Sequence, residues 1–565
     1  MFYKVSIFLL TLFVCNSFVS AQNQQVLYKK YAVYFKDKAQ SPYSIDNPEA
    51  FLSQRALERR AKAQIAVDES DLPVSPSYIK SVLNLGFDYI NKGNWSNFIV
   101  VGSFDTSLVS KLTELSFVRD VKQVYSHPRS EQNTKKAAGS GLEMGNANVK
   151  KASWGNVEEM NYGNSFTQVS MLGVDYMHRK NFLGEGLRIA VLDAGFYKVD
   201  ELPAFERIRE NGQILGTWDF VLNESSVYED NSHGMSVLSC IAGYVPGELI
   251  GTAPQAQFYL LRTEDAATES VVEEYNWEAA AVWADSAGAD IINSSLGYTT
   301  FDFPGDNHSY ADLDGNSTVI TKAADRAASK GILVINSAGN SGNTTWRYIG
   351  APADGDSVLA IGAVKADRQI ASFSSRGPRV DGRVKPDICA MGQSTLVALS
   401  GGGVGPSNGT SFSGPVLAGA AATLWQANPD ATNMQIYHAL IQSADRYTNP
   451  NADYGYGIPN IGYADLILKN AVGEEYYKNQ ELTLFPNPNA GDKVMINFFS
   501  LQEKKYTIRL SDMQGKTLIQ QDSILPAKSM HAIPLQLPDN INDGVYIITL
   551  REGKNRFSSK LLIQK

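Results

Sequence analysis

Apolar and polar positions run in five successive textures along the chain. Residues 1–21, MFYKVSIFLLTLFVCNSFVSA, hold one early cation, Lys4, then an apolar stretch over 5–14, then small residues at Val19-Ser20-Ala21. This predicts a secretory signal peptide over 1–21, with Gln22 as the first mature residue; the stretch is short for a membrane span. From 22 to 126 the pattern switches repeatedly. YAVYFKD alternates as a strand does, Asn47-Pro48-Glu49 opens the helical stretch PEAFLSQRALERRAKAQ, and FDYINKGNWSNFIVVGS is strand-like again. A helix around SLVSKLTELS and a strand at VRDVKQVY close the unit, predicting the order β-α-β-β-α-β. Residues 127–160 are polar, rich in Gly, Ala and Lys and without periodicity, as expected of an exposed linker open to proteolysis.

The largest unit, 161–473, alternates helical segments with continuous apolar runs: LRIAVLD, QAQFYLLRT, ADIINSSLG, GILVINSAGN and SVLAIGAV. Strands apolar on both faces predict an α/β fold, a parallel sheet with helices on both faces. The functional crevice of such a sheet lies at the carboxyl ends of its strands. From 474 to 565 helices disappear, and short strands such as VMINFFS, YTIRLSDMQGKTL and GVYIITLREGKNRF predict a small β-sandwich. The order predicted for 22–126 fits a split-βαβ, ferredoxin-like α+β domain.

Composition narrows the partners. With 43% hydrophobic and 19% charged residues the chain reads as soluble globular protein, and a net charge of −9 with no basic run argues against nucleic acid or anionic membrane. Without the leader two cysteines remain, Cys240 and Cys389, too few for a disulfide framework. They either pair or stay buried as small apolar residues.

Four residues stand at the predicted rim of the sheet. Asp193 ends the apolar strand IAVLD; alone it is an ordinary turn aspartate. His233, in NSHGMSVLSCIAG, precedes residues with helical apolar spacing and so opens a helix. Asn340 follows the strand GILVINSAGN, and its amide can donate to a developing oxyanion. Ser411 stands in NGTSFSGPVLAGAAATL, before Gly414-Pro415 and a run of small residues. Proline there is expected at a helix start, and the free N–H groups of that start would lie near Ser411. A nucleophile needs a base, the base an orienting carboxylate, and the oxyanion its donors. Asp193, His233, Asn340 and Ser411 supply one of each.

Residues from about 163 to 471 resemble the subtilisin-like serine proteases, the subtilases. IAVLDAGF is similar to the family's aspartate motif, HGMSVLSCIAG to its histidine motif, INSAGNSG to its oxyanion segment and NGTSFSGPVLAGAAA to its serine motif. FSSRGPRVDGRVKPDI resembles a further typical stretch. The resemblance implies catalysis by Asp193, His233 and Ser411, with an oxyanion hole from the Asn340 amide and the Ser411 backbone N–H. It implies that Ser295, Leu296 and Gly297 pair with extended substrate and that Ala338 and Gly339 line the specificity pocket. Met235 and Ser236 depart from the family's usual threonine and histidine. The loop YVPGELI is too short and too poor in oxygen ligands to carry over the usual calcium site, and Asp312 to Gly315 reads as a polar surface turn. No metal is therefore assigned: the chemistry requires no cofactor, and structural calcium is left open. Residues 22–126 resemble the subtilase propeptide, an intramolecular chaperone and inhibitor. The tail, with FPNPN, DMQGK and KLLIQK, resembles the C-terminal sorting domain of type IX secretion. Together these imply a secreted or surface serine endopeptidase of a Gram-negative bacterium, exported through the periplasm as a self-processing precursor. Its partners would be protein or peptide substrates, its own propeptide and the type IX machinery, and it would be a monomer. The rival readings are a catalytically silent binding scaffold and an α/β-hydrolase esterase. The latter fold wants Gly-x-Ser-x-Gly, whereas Ser411 lies in Gly409-Thr410-Ser411-Phe412-Ser413.

Overall fold

The structure, a computed structural model, describes residues 27–128, 160–469, 482–485, 487–527 and 529–565. The expected signal peptide and nearly all of the expected linker lie outside the described residues. Among the described residues no helix is long and apolar enough to cross a membrane.

The first unit is an antiparallel sheet of Leu27–Phe35, Asp88–Gly93, Phe98–Ser103 and Val118–Pro128, ordered second, third, first, fourth. Period-two alternation sends Tyr31, Val33, Ile99 and Val101 to one face, under the helices Pro76–Leu83 and Val109–Glu114. Ala32, Tyr34, Phe98 and Val100 point the other way and pack on Val272 and Tyr275 of the helix Val272–Ala287 in the large unit. Both faces are covered, so every residue of Phe98–Ser103 is buried.

The long helical stretch expected after residue 47 is broken. A 3₁₀ turn, Pro48–Ala50, is followed by the helix Gln54–Lys62, whose cap Ser53 accepts from the Ala56 N–H at 3.3 Å. This helix docks on the large unit instead of covering its own sheet, and Arg59 and Arg60 are buried there. Both guanidiniums converge on the buried Asp285: Arg59 through Nη2, Arg60 through Nη2 to Oδ2 at 2.5 Å. Arg60 also reaches Asp71 at 3.1 Å, and Lys330 of the large unit pairs with Asp71 at 2.9 Å and Asp68 at 3.0 Å. Pro76–Leu83, which the sequence pattern did not reveal, is the helix that packs on the sheet in its place.

Seven parallel strands build the large unit in the order Ile388–Met391, Val358–Val364, Leu333–Ser337, Ile291–Ser294, Arg188–Asp193, Gln257–Arg262, Ile214–Asp219. Alternate residues of Arg188–Asp193 serve opposite layers. Ile189 and Val191 join the core with the helices His233–Ala242 and Thr410–Ala427; Ala190 and Leu192 join that with Val272–Ala287 and Val319–Ser329. The helix Thr410–Ala427 is buried from Thr410 to Trp425, which its small residues permit. A Cβ on Gly419 would come within 2.0 Å of Thr252 Oγ1, so only glycine allows that approach. Cys240 and Cys389 are separate buried thiols, pushed up in pKa by burial, which settles the pairing left open above. The expected turn at 312–315 is a turn: Asp312 closes a capping box with Ser309, and Gly315 N–H donates to Asp354 at 2.9 Å.

The last unit pairs a three-stranded sheet with a four-stranded one around Val494, Phe498, Tyr506, Leu510 and Leu550, as the expected sandwich requires.

Candidate functional site

The carboxyl ends of the central strands bring the four singled-out residues to one rim. Asp193 is the last residue of Arg188–Asp193 and fully buried. Its Oδ1 accepts from the Ala194 N–H at 2.7 Å and from His233 Nδ1 at 2.7 Å, while Oδ2 is buried without a partner. His233 opens the helix His233–Ala242, and its own N–H is held by Asn231 Oδ1 at 2.8 Å. The glycine after it is dictated by packing: a Cβ on Gly234 would lie 2.5 Å from Gly195 O and 2.8 Å from Asp193 Cβ. With Nδ1 committed to the carboxylate and 34% of the side chain exposed, Nε2 is the nitrogen left for the cleft. The Asp193 charge is the main cause raising the His233 pKa; burial opposes it, and the Asp193 hydrogen bond and the Glu264 charge add to the rise. Behind the imidazole, Met235 is fully buried and Ser236 Oγ donates to Ala398 O at 3.0 Å.

Ser411 is the second residue of Thr410–Ala427, which starts after Gly409 at a φ of +153°. The proline expected at the helix start therefore sits inside it, a turn further on. Pro415 has no N–H for the carbonyl four residues earlier, which is that of Ser411. Ser295 fills the vacancy, its Oγ donating to Ser411 O at 3.0 Å. The Ser411 hydroxyl in turn donates to Ser295 O at 3.4 Å, and the ring of its neighbour Phe412 lies 6.0 Å from the His233 ring.

Asn340 is exposed at the mouth, but its aim is fixed. Oδ1 accepts from Thr410 N at 2.9 Å and Thr410 Oγ1 at 3.0 Å, so the NH₂ end faces the opposite way. Thr410 Oγ1 also accepts from Gly339 N at 3.1 Å, tying the loop to the helix that carries Ser411. Gly339 has a φ of +104° and approaches Ser375, whose N–H donates to Gly339 O at 2.9 Å. Ala338 is buried, its methyl packed with Ile349, Ala353 and Ala360, so only its backbone can border a pocket. Leu296 is half-buried and Gly297 exposed, with Ala351 O the nearest atom to its missing Cβ at 3.8 Å. The next residue, Tyr298, exchanges both backbone hydrogen bonds with Ala351, at 2.9 and 3.2 Å, which ends this free edge.

Sequence reasoning missed two contributors and one role. Thr410 aims the asparagine, Glu264 stands near the Asp193–His233 pair, and Ser295, expected only to pair with substrate, also repairs the helix. Burial first pushes the Glu264 carboxyl up, to about 8, and the Tyr298 phenol that hydrogen-bonds it works against that rise. The Thr-Ser pair of NGTSFSGP was the one local signal; the others join residues far apart in the chain.

Residues 184–457 match the model of the Subtilase family. Subtilisin E of Bacillus subtilis (strain 168) is 31% identical over 314 residues, 54% of this chain and 74% of that protein. The chain belongs to the subtilase family. Subtilisin of Bacillus pumilus is 31% identical over 297 residues, covering 52% of this subtilase and 96% of the relative. Subtilisin-like protease SBT6.1 of Arabidopsis thaliana is 29% identical over 335 residues, 57% of this chain and 29% of its own. Residues 30–138 match a Peptidase S8 propeptide domain of Bacteroidota, and 483–564 a secretion system C-terminal sorting domain. The protein is thus a subtilisin-like serine endopeptidase carrying a propeptide and a type IX sorting tail, and the tail implies export by a Bacteroidota secretion system.

Proposed function

We propose that this subtilase hydrolyses peptide bonds through an acyl-enzyme on Ser411, with His233 as its base and Asp193 as the orienting carboxylate. The observation that carries the reading is the 2.7 Å bond from His233 Nδ1 to Asp193, which turns Nε2 to the cleft beside the Ser411 helix start. The Ser411 hydroxyl, held by one long bond of 3.4 Å to Ser295 O, would turn to that nitrogen. His233 then accepts the Ser411 proton as Oγ attacks the scissile carbonyl, and the imidazolium gains support from Asp193. The new oxyanion is met by the Asn340 NH₂ and the Ser411 backbone N–H, one of the unpaired donors of a helix start. His233 passes the proton to the leaving amine, and a water activated by the same imidazole releases the acyl group. Substrate would lie along Ser295, Leu296 and Gly297 as an added strand, with the Ala338 and Gly339 backbone bordering the pocket for its side chain.

The chain would be exported by its leader to the periplasm, cross the outer membrane under direction of the sorting tail, and act as a monomer after cutting itself between the propeptide and residue 160. Until then the docked propeptide would inhibit it. No cofactor enters any of these steps.

Hydrolysis of internally quenched peptides by the matured enzyme, followed across pH, tests the reading. A base must be neutral, so activity is lost as pH falls through the His233 pKa. Since that pKa is raised, the acid limb of kcat/KM is expected to have its midpoint above the ordinary value of about 6.5. Peptide binding without cleavage at any pH would instead support a silent scaffold.

A further inference from the structure

The strands Arg188–Asp193 and Gln257–Arg262 run side by side, and their last residues, Asp193 and Arg262, are partners in the register. One residue further on, the Thr263 N–H still donates to Asp193 O at 3.0 Å. The backbone thus anchors Arg262 beside the carboxylate that orients His233. Its side chain is buried, and no step above uses it. The guanidinium reaches four residues. Nη1 meets Asp219 Oδ2 at 2.7 Å and Asp230 Oδ2 at 2.8 Å, while Nε donates to Ala194 O and Glu264 O, both at 3.2 Å.

Two of these contacts stand one step from the catalytic pair. Ala194 is the residue whose N–H donates to Asp193 Oδ1 at 2.7 Å. Asp230 precedes Asn231, whose Oδ1 accepts the His233 N–H at 2.8 Å. The two segments also press on each other: a Cβ on Gly195 would lie 2.7 Å from Asn231 N and 3.2 Å from Asp230 Cβ. A purely structural ion pair would not need this reach. Asp219 Oδ1 already accepts from the Val221 and Leu222 N–H groups at 2.7 and 2.9 Å, so a single donor to Oδ2 completes it. A lysine would bring Asp219 the same charge. Its ammonium is a compact group on a flexible stem, however, whereas the guanidinium holds its donors in one rigid plane.

We propose that Arg262 is a positioning residue for the catalytic pair, holding the Ala194 carbonyl and Asp230 in one rigid fork and so setting the geometry of the Asp193–His233 bond. It acts through those two residues and not on substrate. The inference rests on the proteolytic reading above, but the bond itself can be observed in a chain that lacks the nucleophile.

The test is Arg262→Lys, which keeps the cation and removes the fork. In the matured enzyme kcat should fall about 10- to 100-fold while KM changes by less than about twofold. The charges that raise the His233 pKa, Asp193 first and then Glu264, stay in place. A looser bond weakens the hold of Asp193, so the acid limb of kcat/KM should move to lower pH. Proton NMR of the Ser411→Ala precursor, with and without Arg262→Lys, reads the same bond without turnover. The far-downfield resonance of the His233 Nδ1 proton should move upfield or broaden in the double variant. Asp230 is 36% exposed, so Asp230→Asn should fold even where Arg262→Lys does not, and should move the resonance the same way by less. An inactive parent would sink the proteolytic reading and leave the resonance to judge Arg262. Parental kcat, acid limb and resonance in Arg262→Lys, with only the melting temperature lowered, would overturn the proposal and leave Arg262 a structural cation. A higher KM at unchanged kcat would overturn it too, by placing the effect on the substrate edge through Glu264.

Discussion

Ser411→Ala is expected to lower peptidase activity by about 10⁶-fold and to leave the precursor uncut, with residues 27–128 still attached to the large unit. The fold should not suffer. The Ser411 hydroxyl makes one long hydrogen bond, 3.4 Å to Ser295 O, and alanine is the better helix former. What holds the helix start lies elsewhere: Ser295 Oγ on the Ser411 carbonyl, and Thr410 on Asn340 and Gly339. Activity assayed on a quenched peptide should therefore vanish while the melting temperature stays within a degree or two of the parent. A precursor of the variant that still separates from its propeptide in pure solution would show that another nucleophile or another protease does the cutting.

The second large effect is expected where the propeptide grips the enzyme. Arg59→Ala in the Ser411→Ala background should weaken docking by about 3–5 kcal/mol, because it leaves a buried carboxylate short of a partner. Asp285 is buried and its two oxygens are divided between Arg59 and Arg60, so removing one guanidinium leaves Oδ1 unmatched. Arg59 also donates to the carbonyls of Ala289 and Lys330, both of which lose a donor. The measurement is the rate at which added trypsin digests the 27–128 unit of the intact precursor. If digestion requires undocking, that range of free energy corresponds to at least a hundredfold faster loss. Digestion at the parental rate would mean that the apolar face around Tyr34, Phe98 and Tyr275 holds the unit unaided.

The chemistry of the site was legible because its residues announce themselves locally. Asp193 ends a continuous apolar strand, His233 starts a helix whose next residue must be glycine, and Asn340 stands in the loop that follows another strand. Pro415 misled: proline usually marks the first turn, and the helix start was expected there. It tolerates an interior position because Ser295, 116 residues away in sequence, supplies the missing donor; no local pattern encodes that. The helix Gln54–Lys62 gave the same difficulty. Its arginines look like a solvated face until Asp285 and Asp71 are brought to them from elsewhere in the fold. Glu264 is a further case: only the fold buries it and brings the Tyr298 phenol to it, 34 residues on in sequence. Pairings across such distances are set by tertiary packing, which overrides local preference.

The central claim is that Asp193, His233 and Ser411 act as one unit. It is tested most directly by treating the matured enzyme with a fluorophosphonate and mapping the adduct by mass spectrometry. An activated serine should be labelled at Ser411 alone, and the His233→Ala variant, with the same hydroxyl but no base, should label at a rate lower by several orders of magnitude. Equal labelling of Ser411 in the two proteins, or an adduct on a different serine, would contradict the account.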